Sequence, residues 1–288
     1  MQRIDAHQHF WQIARGDYRW LTPDVPALQP IYRDFLPADL EPLAWPQDVA
    51  QTVLVQAADS TAETDFMLSL AGRHATIGGV VGWVDLSERD SVRTLQRWAR
   101  EHPRKFKGVR PMLQDLAEAN WIAERPHADV IACLIDLGLR FDALVLPQHL
   151  PALLQFVRRH PQLPIVIDHA AKPRLDEGWD AVWAHAWRRD MAALAAHPQV
   201  HCKFSGLLTE TRSAEPLAAI RPAWDDLLRW FGPQRLMWGS DWPVVNLAGS
   251  YAGWISTAGE LIATLPLEAQ QRVWHDNAAA FYGLEPRP

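Results

Sequence analysis

Three short runs of this chain bring imidazoles and carboxylates to the ends of apolar segments. There they could activate water, hold a metal ion or stabilise a developing negative charge. The first run is Asp5-Ala6-His7-Gln8-His9-Phe10. Alternate side chains of a strand share a face, so His7 and His9 project the same way. Two imidazoles on one face make half of a metal site or of a polar catalytic site. With 12 histidines in the chain a His-x-His pair is unremarkable by itself; its place at the end of a first strand gives it weight. The second run is Val166-Ile167-Asp168-His169-Ala170-Ala171-Lys172-Pro173. Strand neighbours alternate faces, so His169 is expected to point into the mouth and Asp168 towards the surrounding helices as a cap. The third is Leu236-Met237-Trp238-Gly239-Ser240-Asp241-Trp242-Pro243. Gly239 permits close backbone approach or an unusual φ, and Asp241 reaches the rim beside an aromatic neighbour that limits its hydration. An aspartate after a strand commonly caps the next helix. Pro243 and the loop after it make a functional carboxylate the better reading.

Two further strand ends carry cations. Lys107-Gly108-Val109-Arg110-Pro111 places a guanidinium that could hold a carboxylate or carbonyl oxygen. His201-Cys202-Lys203-Phe204-Ser205-Gly206 places an ammonium. For Arg110 and Lys203 a surface salt bridge is the competing reading, and Lys107 is expected to be solvated. Of the 28 basic residues only Lys105, Lys107, Lys172 and Lys203 are lysines, so these are the positions where arginine does not substitute. His149, in Pro147-Gln148-His149-Leu150-Pro151, follows the fifth strand and could reach the mouth. The fifteen tryptophans are numerous enough to line a sugar-stacking site, although scattered Trp more often packs cores and loops. There is no Gly-x-Ser-x-Gly elbow, no phosphate loop and no His-Glu-x-x-His.

The elements that must position these groups are legible as alternating patterns. Strands are expected at Arg3–Phe10, Ala50–Gln56, Ile77–Val84, Phe106–Met112, Leu139–Leu146, Pro164–His169, Val200–Ser205 and Leu236–Ser240. Helical spacing fills Ala62–Ala75, Ser91–Glu101, Ala128–Leu137, Leu150–His160, Trp179–Ala196, Ala223–Phe231 and Leu267–Tyr282. Continuous apolar runs such as Ile165-Val166-Ile167 suit strands covered on both faces. His102-Pro103, His160-Pro161 and His197-Pro198 each stop a helix, because the residue before proline leaves the α region. Eight β/α units with no linker-like tract predict an α/β fold, a single (β/α)8 TIM-type barrel over residues 1–288. An open doubly wound sheet is less suitable, since no Gly-x-Gly-x-x-Gly turn follows the first strand. Six prolines between Asp17 and Gln47 mark an irregular insertion at about 11–48, which in a barrel lies over the active-site face.

The 288 residues carry 28 Lys+Arg against 34 Asp+Glu, a formal charge of -6 that argues against a nucleic-acid partner. Cys133 and Cys202 are too few for a disulfide framework or a Cys-rich zinc site, and they read as reduced thiols. The N-terminus has no apolar signal region, and Trp242–Gly259, broken by Pro243, Asn246, Gly249, Ser250 and Gly253, does not read as a membrane span. A cytoplasmic protein without membrane partners is expected.

Taken together and in order, these runs resemble the amidohydrolase superfamily, in particular its amidohydrolase 2 branch. Besides the segments above, Trp11 extends the first run, Leu207 ends Lys203-Phe204-Ser205-Gly206-Leu207, and Asn277-Ala278-Ala279-Ala280-Phe281-Tyr282 is similar to the family's final helix. Within the branch the chain is most similar to sugar-lactone hydrolases of the L-fuconolactonase and L-rhamnonolactonase types. The resemblance implies a distorted barrel that hydrolyses a cyclic ester at the C-terminal strand ends, with His7, His9, His169 and Asp241 as its polar core. No lysine ends the fourth strand to bridge two metals as a carbamate, so a second metal is not expected. His7, His9, His169 and Asp241 would hold one zinc-like divalent ion if one is bound, and a metal-free reaction is equally compatible with the branch. The expected chemistry has Asp241 as general base, with Arg110, His169, Lys203 or a metal on His7 and His9 polarising the carbonyl. Lys203, His149, Trp242, Trp20 and Trp11 are expected substrate contacts. The expected partner is a small sugar lactone, and a homo-oligomer is compatible. A decarboxylase of the same superfamily, anchored through Arg110, and a non-catalytic sugar-binding barrel are the alternatives.

Overall fold

Runs such as Val53-Leu54-Val55 and Ile165-Val166-Ile167 are buried along their whole length, as a parallel sheet roofed by helices requires. The computed structural model describes residues 1–286; Arg287 and Pro288, which complete the expected 1–288 unit, lie outside the described residues. Its strands are β1 (Arg3–Gln8), β2 (Val49–Val55), β3 (Ile77–Gly82), β4 (Phe106–Val109), β5 (Arg140–Ala143), β6 (Ile165–Ile167), β7 (Val200–Phe204) and β8 (Leu236–Trp238). They form one eight-stranded sheet in sequence order, with neighbouring strands parallel. The ends of the sheet meet at the mouth, where Gln8 bridges Trp242 and the His9 N–H donates to the Trp242 carbonyl at 2.7 Å. The Asp241 N–H likewise donates to the His7 carbonyl at 2.8 Å, so the seam of the nearly closed barrel is also the junction between two of the chemical runs.

At least one helix follows each strand, the main ones being Pro37–Ala44, Thr61–Arg73, Ser91–Glu101, Ala128–Asp136, Leu150–Arg159, Val182–Ala195, Pro216–Phe231 and Tyr251–Ile262. The last of these was not expected. Gly253, Gly259 and the lack of charge early in the segment hide its periodicity, and its start is set by Ser250, whose Oγ accepts the Gly253 N–H at 3.1 Å. The expected strands overran at their C-terminal ends, most clearly at β4 and β5. Leu144 and Val145 are buried like strand residues but lie in the loop that leaves the sheet, so apolar pattern alone does not mark the end. The insertion at about 11–48 is more ordered than its prolines suggest. It carries the helix Pro37–Ala44, with proline at its start, and buries Trp11, Tyr18, Leu21, Ile31 and Phe35 over the barrel.

Inside the barrel, Ile4, Ala6, Val53, Val55, Val81, Val166 and Met237 pack against Ala278, Phe281, Tyr282 and Leu284 of the chain's end. The helix Asn277–Tyr282 therefore plugs the lumen, and the polar layer at the opposite end sits on a closed apolar floor. Lys107, expected to be solvated, is half-buried at this plug, where its Nζ donates to the Gly283 carbonyl at 2.8 Å.

Candidate active site

His7 and His9 share a face as the strand period requires, with their Nε2 atoms 3.2 Å apart. Asp241 meets them from the other side of the seam. Its Oδ1 lies 3.3 Å from His9 Nε2, 3.8 Å from His7 Nε2 and 3.7 Å from His169 Nε2. Asp241 reaches this point through a left-handed turn, φ 57°, a conformation that Asp and Asn tolerate better than most residues. Gly239 is needed just before it for a different reason: a Cβ there would lie 2.8 Å from His7 Cβ and 3.0 Å from the His7 backbone nitrogen. Close approach, and not positive φ, is its role.

The outcome at β6 corrects the expectation for Asp168. Asp168 keeps the inward parity of Val166, which lines the lumen. His169, Ala170, Ala171 and Lys172 all have positive φ, between 48° and 58°, and this left-handed run turns His169 inward as well. Asp168 is fully buried, 3.0 Å from Lys203 Nζ, 3.4 Å from His7 Nδ1 and 3.6 Å from Arg110. His169 is fixed by Ser205, whose Oγ is 2.9 Å from His169 Nδ1.

A hollow of about 180 Å³ opens onto this cluster, lined by His9, Arg110, His169, Asp241 and Trp20 together with Lys172, Gln114, Asp115 and apolar neighbours. A larger hollow of about 540 Å³ adjoins it and shares Trp20, Met112 and Asp115. The titratable groups converge on the smaller one. Trp20 is held there by its Nε1, which donates to the Ala57 carbonyl at 2.7 Å. Arg110 is buried with its Nε unpartnered among the described residues, while its other nitrogens meet the Gln56 carbonyl and His7 Nε2.

Four expected substrate contacts fall elsewhere. Lys203 is fully buried beneath His7, because alternation on β7 points it into the lumen. His149 turns back on its own loop, where its Nδ1 accepts the Leu146 N–H at 3.0 Å. Trp242 packs edge-on against Phe10 and Phe35 in the core, and Trp11 is likewise buried, donating to the Arg33 carbonyl. Lys172, Gln114, Asp115 and the supporting Ser205 and Gly206 were missed as site residues. For Lys172, its being one of four lysines in an arginine-rich chain was the available signal.

Burial lowers the pKa values of His7, His9 and His169, the last to about 4, so the imidazoles are neutral near pH 7. His169 is therefore not the cationic polariser it was expected to be. For Asp241 burial works towards a higher pKa. His169, His9 and His7, which gain protons at the low pH where this carboxyl titrates, outweigh it, and the carboxyl lies below the usual range.

This donor set suits one divalent cation. Ligand atoms of His7, His9 and Asp241 lie within 4.8 Å of one another, as do those of His7, Asp168 and His169. His9 gives the clearest evidence. Its Nδ1 is 2.8 Å from the Val55 carbonyl, which can only accept, so Nδ1 carries the proton and the Nε2 lone pair faces the Asp241 carboxylate. Two such electron-rich atoms face each other comfortably across a cation.

Glu63 supports the rim from behind, its carboxyl accepting the Ala57 N–H at 2.9 Å and the Ala58 N–H at 3.0 Å. Burial pushes its pKa from 4.5 up to about 8, against the opposing pull of those N–H groups. The folded protein thus retains a proton that the unfolded chain releases between pH 4.5 and about 8. Stability from this group is complete below 4.5 and declines as pH rises through about 8. Urea unfolding at several pH values is expected to show this decline in the parent and a flatter profile in Glu63→Gln. Parallel profiles would remove Glu63 as its source.

Comparison with known proteins gives a consistent picture. A family model described as Amidohydrolase matches residues 4–284. The chain is 45% identical over 287 residues to the L-fucono-1,5-lactonase of Burkholderia ambifaria, covering 98% of this chain and 96% of that one. It is 38% identical to an L-fucono-1,5-lactonase of Burkholderia multivorans, covering 99% and 97%. A crystal structure of an amidohydrolase from Burkholderia multivorans with bound zinc superposes with a TM-score of 0.91 at 37% identity, covering 99% of this chain and all of that one.

Proposed function

We propose that this chain, which belongs to the amidohydrolase family, hydrolyses a sugar-derived lactone to the open hydroxy acid. A six-membered 1,5-lactone of a 6-deoxy aldonic acid, as in the names of the two Burkholderia relatives, is the substrate class this reading favours. The observation that carries it is the convergence of three imidazole Nε2 atoms on one oxygen of Asp241, at the floor of a hollow bordered by Arg110.

In the mechanism, Asp241 is ionised and takes a proton from water as that water attacks the lactone carbonyl. Arg110 supplies fixed positive charge to the oxygen on which negative charge develops, and Lys172 adds to it from the rim. The ring C–O bond then breaks, and protonated Asp241 returns its proton to the departing alkoxide. Neutral His9 and His169 border Asp241 and limit the water around it. A divalent cation held by His7, His9, His169 and Asp241 would supply Lewis acidity at the same carbonyl. Trp20 and the carboxylate of Asp115 are placed to meet the sugar hydroxyls.

A panel of aldono-1,4- and 1,5-lactones, followed by proton release and by carbon dioxide detection, tests this. Proton release from 1,5-lactones without carbon dioxide is the expected result. Carbon dioxide from a carboxylated substrate with inert lactones would replace hydrolysis by decarboxylation, and saturable binding without turnover would leave a sugar-binding barrel. Repeating the panel after chelation, with metal content verified, reports whether the reaction depends on an ion.

A further inference from the structure

Beneath the hollow, two groups of opposite character address the inner nitrogen of His7. Lys203 Nζ lies 3.0 Å from His7 Nδ1, and Asp168 Oδ1 lies 3.4 Å from the same atom. An ammonium only donates, so with Lys203 bonded Nδ1 must be bare and Nε2 must carry the hydrogen. A carboxylate only accepts, so Asp168 calls for Nδ1–H and frees the Nε2 lone pair for the hollow.

The neighbours of His7 Nε2 pull both ways. Arg110 Nη1, which only donates, lies 3.4 Å away and favours a bare atom. His9 Nε2 is bare because its Nδ1–H faces the Val55 carbonyl, and at 3.2 Å it is the closer neighbour and favours a hydrogen there. With that hydrogen in place a continuous relay runs from Lys203 Nζ–H to His7 Nδ1, from His7 Nε2–H to His9 Nε2, and from His9 Nδ1–H to Val55. It engages the outer nitrogens of both imidazoles, the atoms a divalent cation needs. The other arrangement is at hand. Buried Asp168 has Lys203 Nζ 3.0 Å from its Oδ1, yet neither of its oxygens takes part in an aligned hydrogen bond among the described residues. Lys203 also has somewhere to withdraw, Asp142 Oδ2 at 2.6 Å, itself steadied by the Tyr282 hydroxyl at 2.7 Å.

We propose that Lys203 and Asp168 are positioning residues that select the tautomer of His7 and thereby set the affinity of the site for a divalent cation. With Lys203 on Nδ1, His7 is a hydrogen-bond donor towards the hollow. With Asp168 on Nδ1–H, it becomes a metal ligand backed by a carboxylate, the arrangement that orients many metal-bound imidazoles. This rests on the cation fit of the four residues and is independent of which lactone is hydrolysed.

The test uses zinc alone as probe, titrated calorimetrically into the full-length, chelator-stripped protein. The double variant Lys203→Met/Asp142→Asn removes the competing donor while keeping the buried charge balanced. It is expected to bind zinc about 10- to 100-fold more tightly, and Asp168→Asn to bind it more weakly by a similar factor, the usual reach of such outer partners. Long-range ¹H–¹⁵N spectra of the wild type are expected to show His7 protonated on Nε2 without zinc and on Nδ1 with it. Zinc affinity of the double variant within about threefold of wild type, or Nδ1–H in the zinc-free wild type, would overturn the proposal. If a variant fails to fold, the wild-type spectra still decide. Zinc binding is read apart from turnover, so failure of the lactonase reading leaves this result interpretable.

Discussion

Replacing Asp241 by Asn is expected to lower kcat for lactone hydrolysis by about 10²- to 10⁴-fold, the range of a lost general base, with the fold intact. Asparagine suits the test because position 241 has φ 57°, and Asn is among the few residues at ease there. The amide has nearly the same size, so the carboxylate's basicity and charge are what change. Loss of the charge beside His7, His9 and His169 also weakens a cation site, so the variant should be assayed with metal content fixed. A thermal midpoint close to the parent's, with kcat collapsed, is the expected pair of results. Unchanged turnover would exclude Asp241 as the base and leave the convergence of imidazoles upon it without a catalytic purpose.

Gly206→Ala is expected to reduce kcat/KM by roughly 10²-fold, although residue 206 contacts no substrate in the proposed mechanism. A Cβ at this position would lie 2.6 Å from His169 Nδ1 and 3.1 Å from Asp241 Oδ2. His169 has little room to yield, held by Ser205 on one side and by its own left-handed backbone on the other. Displacing it by a fraction of an ångström moves a neighbour of the base. The backbone, at φ +65°, adds about 1–2 kcal/mol of strain for any L-residue. Gly16→Ala separates the two effects: it has φ +73° with nothing within 4 Å, so it should lose comparable stability and keep its activity. If Gly206→Ala retains full kcat/KM, the packing of Gly206 against His169 has no bearing on catalysis.

Most of the architecture was legible in the chain because period and burial report on each other. Eight short apolar runs separated by helical spacing leave little choice but a parallel barrel, and all eight appear with their helices. The parity of His7 and His9 was legible for the same reason, since alternation is local backbone geometry. Helix Tyr251–Ile262 was not, because glycines and small polar residues blur the period that would announce it.

Local rules also explain where the site reading stopped. That His7, His9, His169 and Asp241 each lie at a strand end was read from the residues, and that they form one polar core was what the family resemblance implied. Asp168 was assigned outward because His169 was taken as the inward member of the pair; strand parity sends Asp168 inward with Val166, and a left-handed run starting at His169 turns that residue inward too. Lys203 and Trp242 were read as contacts because a residue's depth below the rim depends on how far each strand is staggered against its neighbour. By itself the sequence determined the fold, the candidate reacting side chains and the strands that carry them, because each depends on chemistry or periodicity within a few residues. Only the tertiary structure decided which of those side chains face the hollow, which lie beneath it and which proton each imidazole carries, because these depend on contacts between segments far apart in the chain.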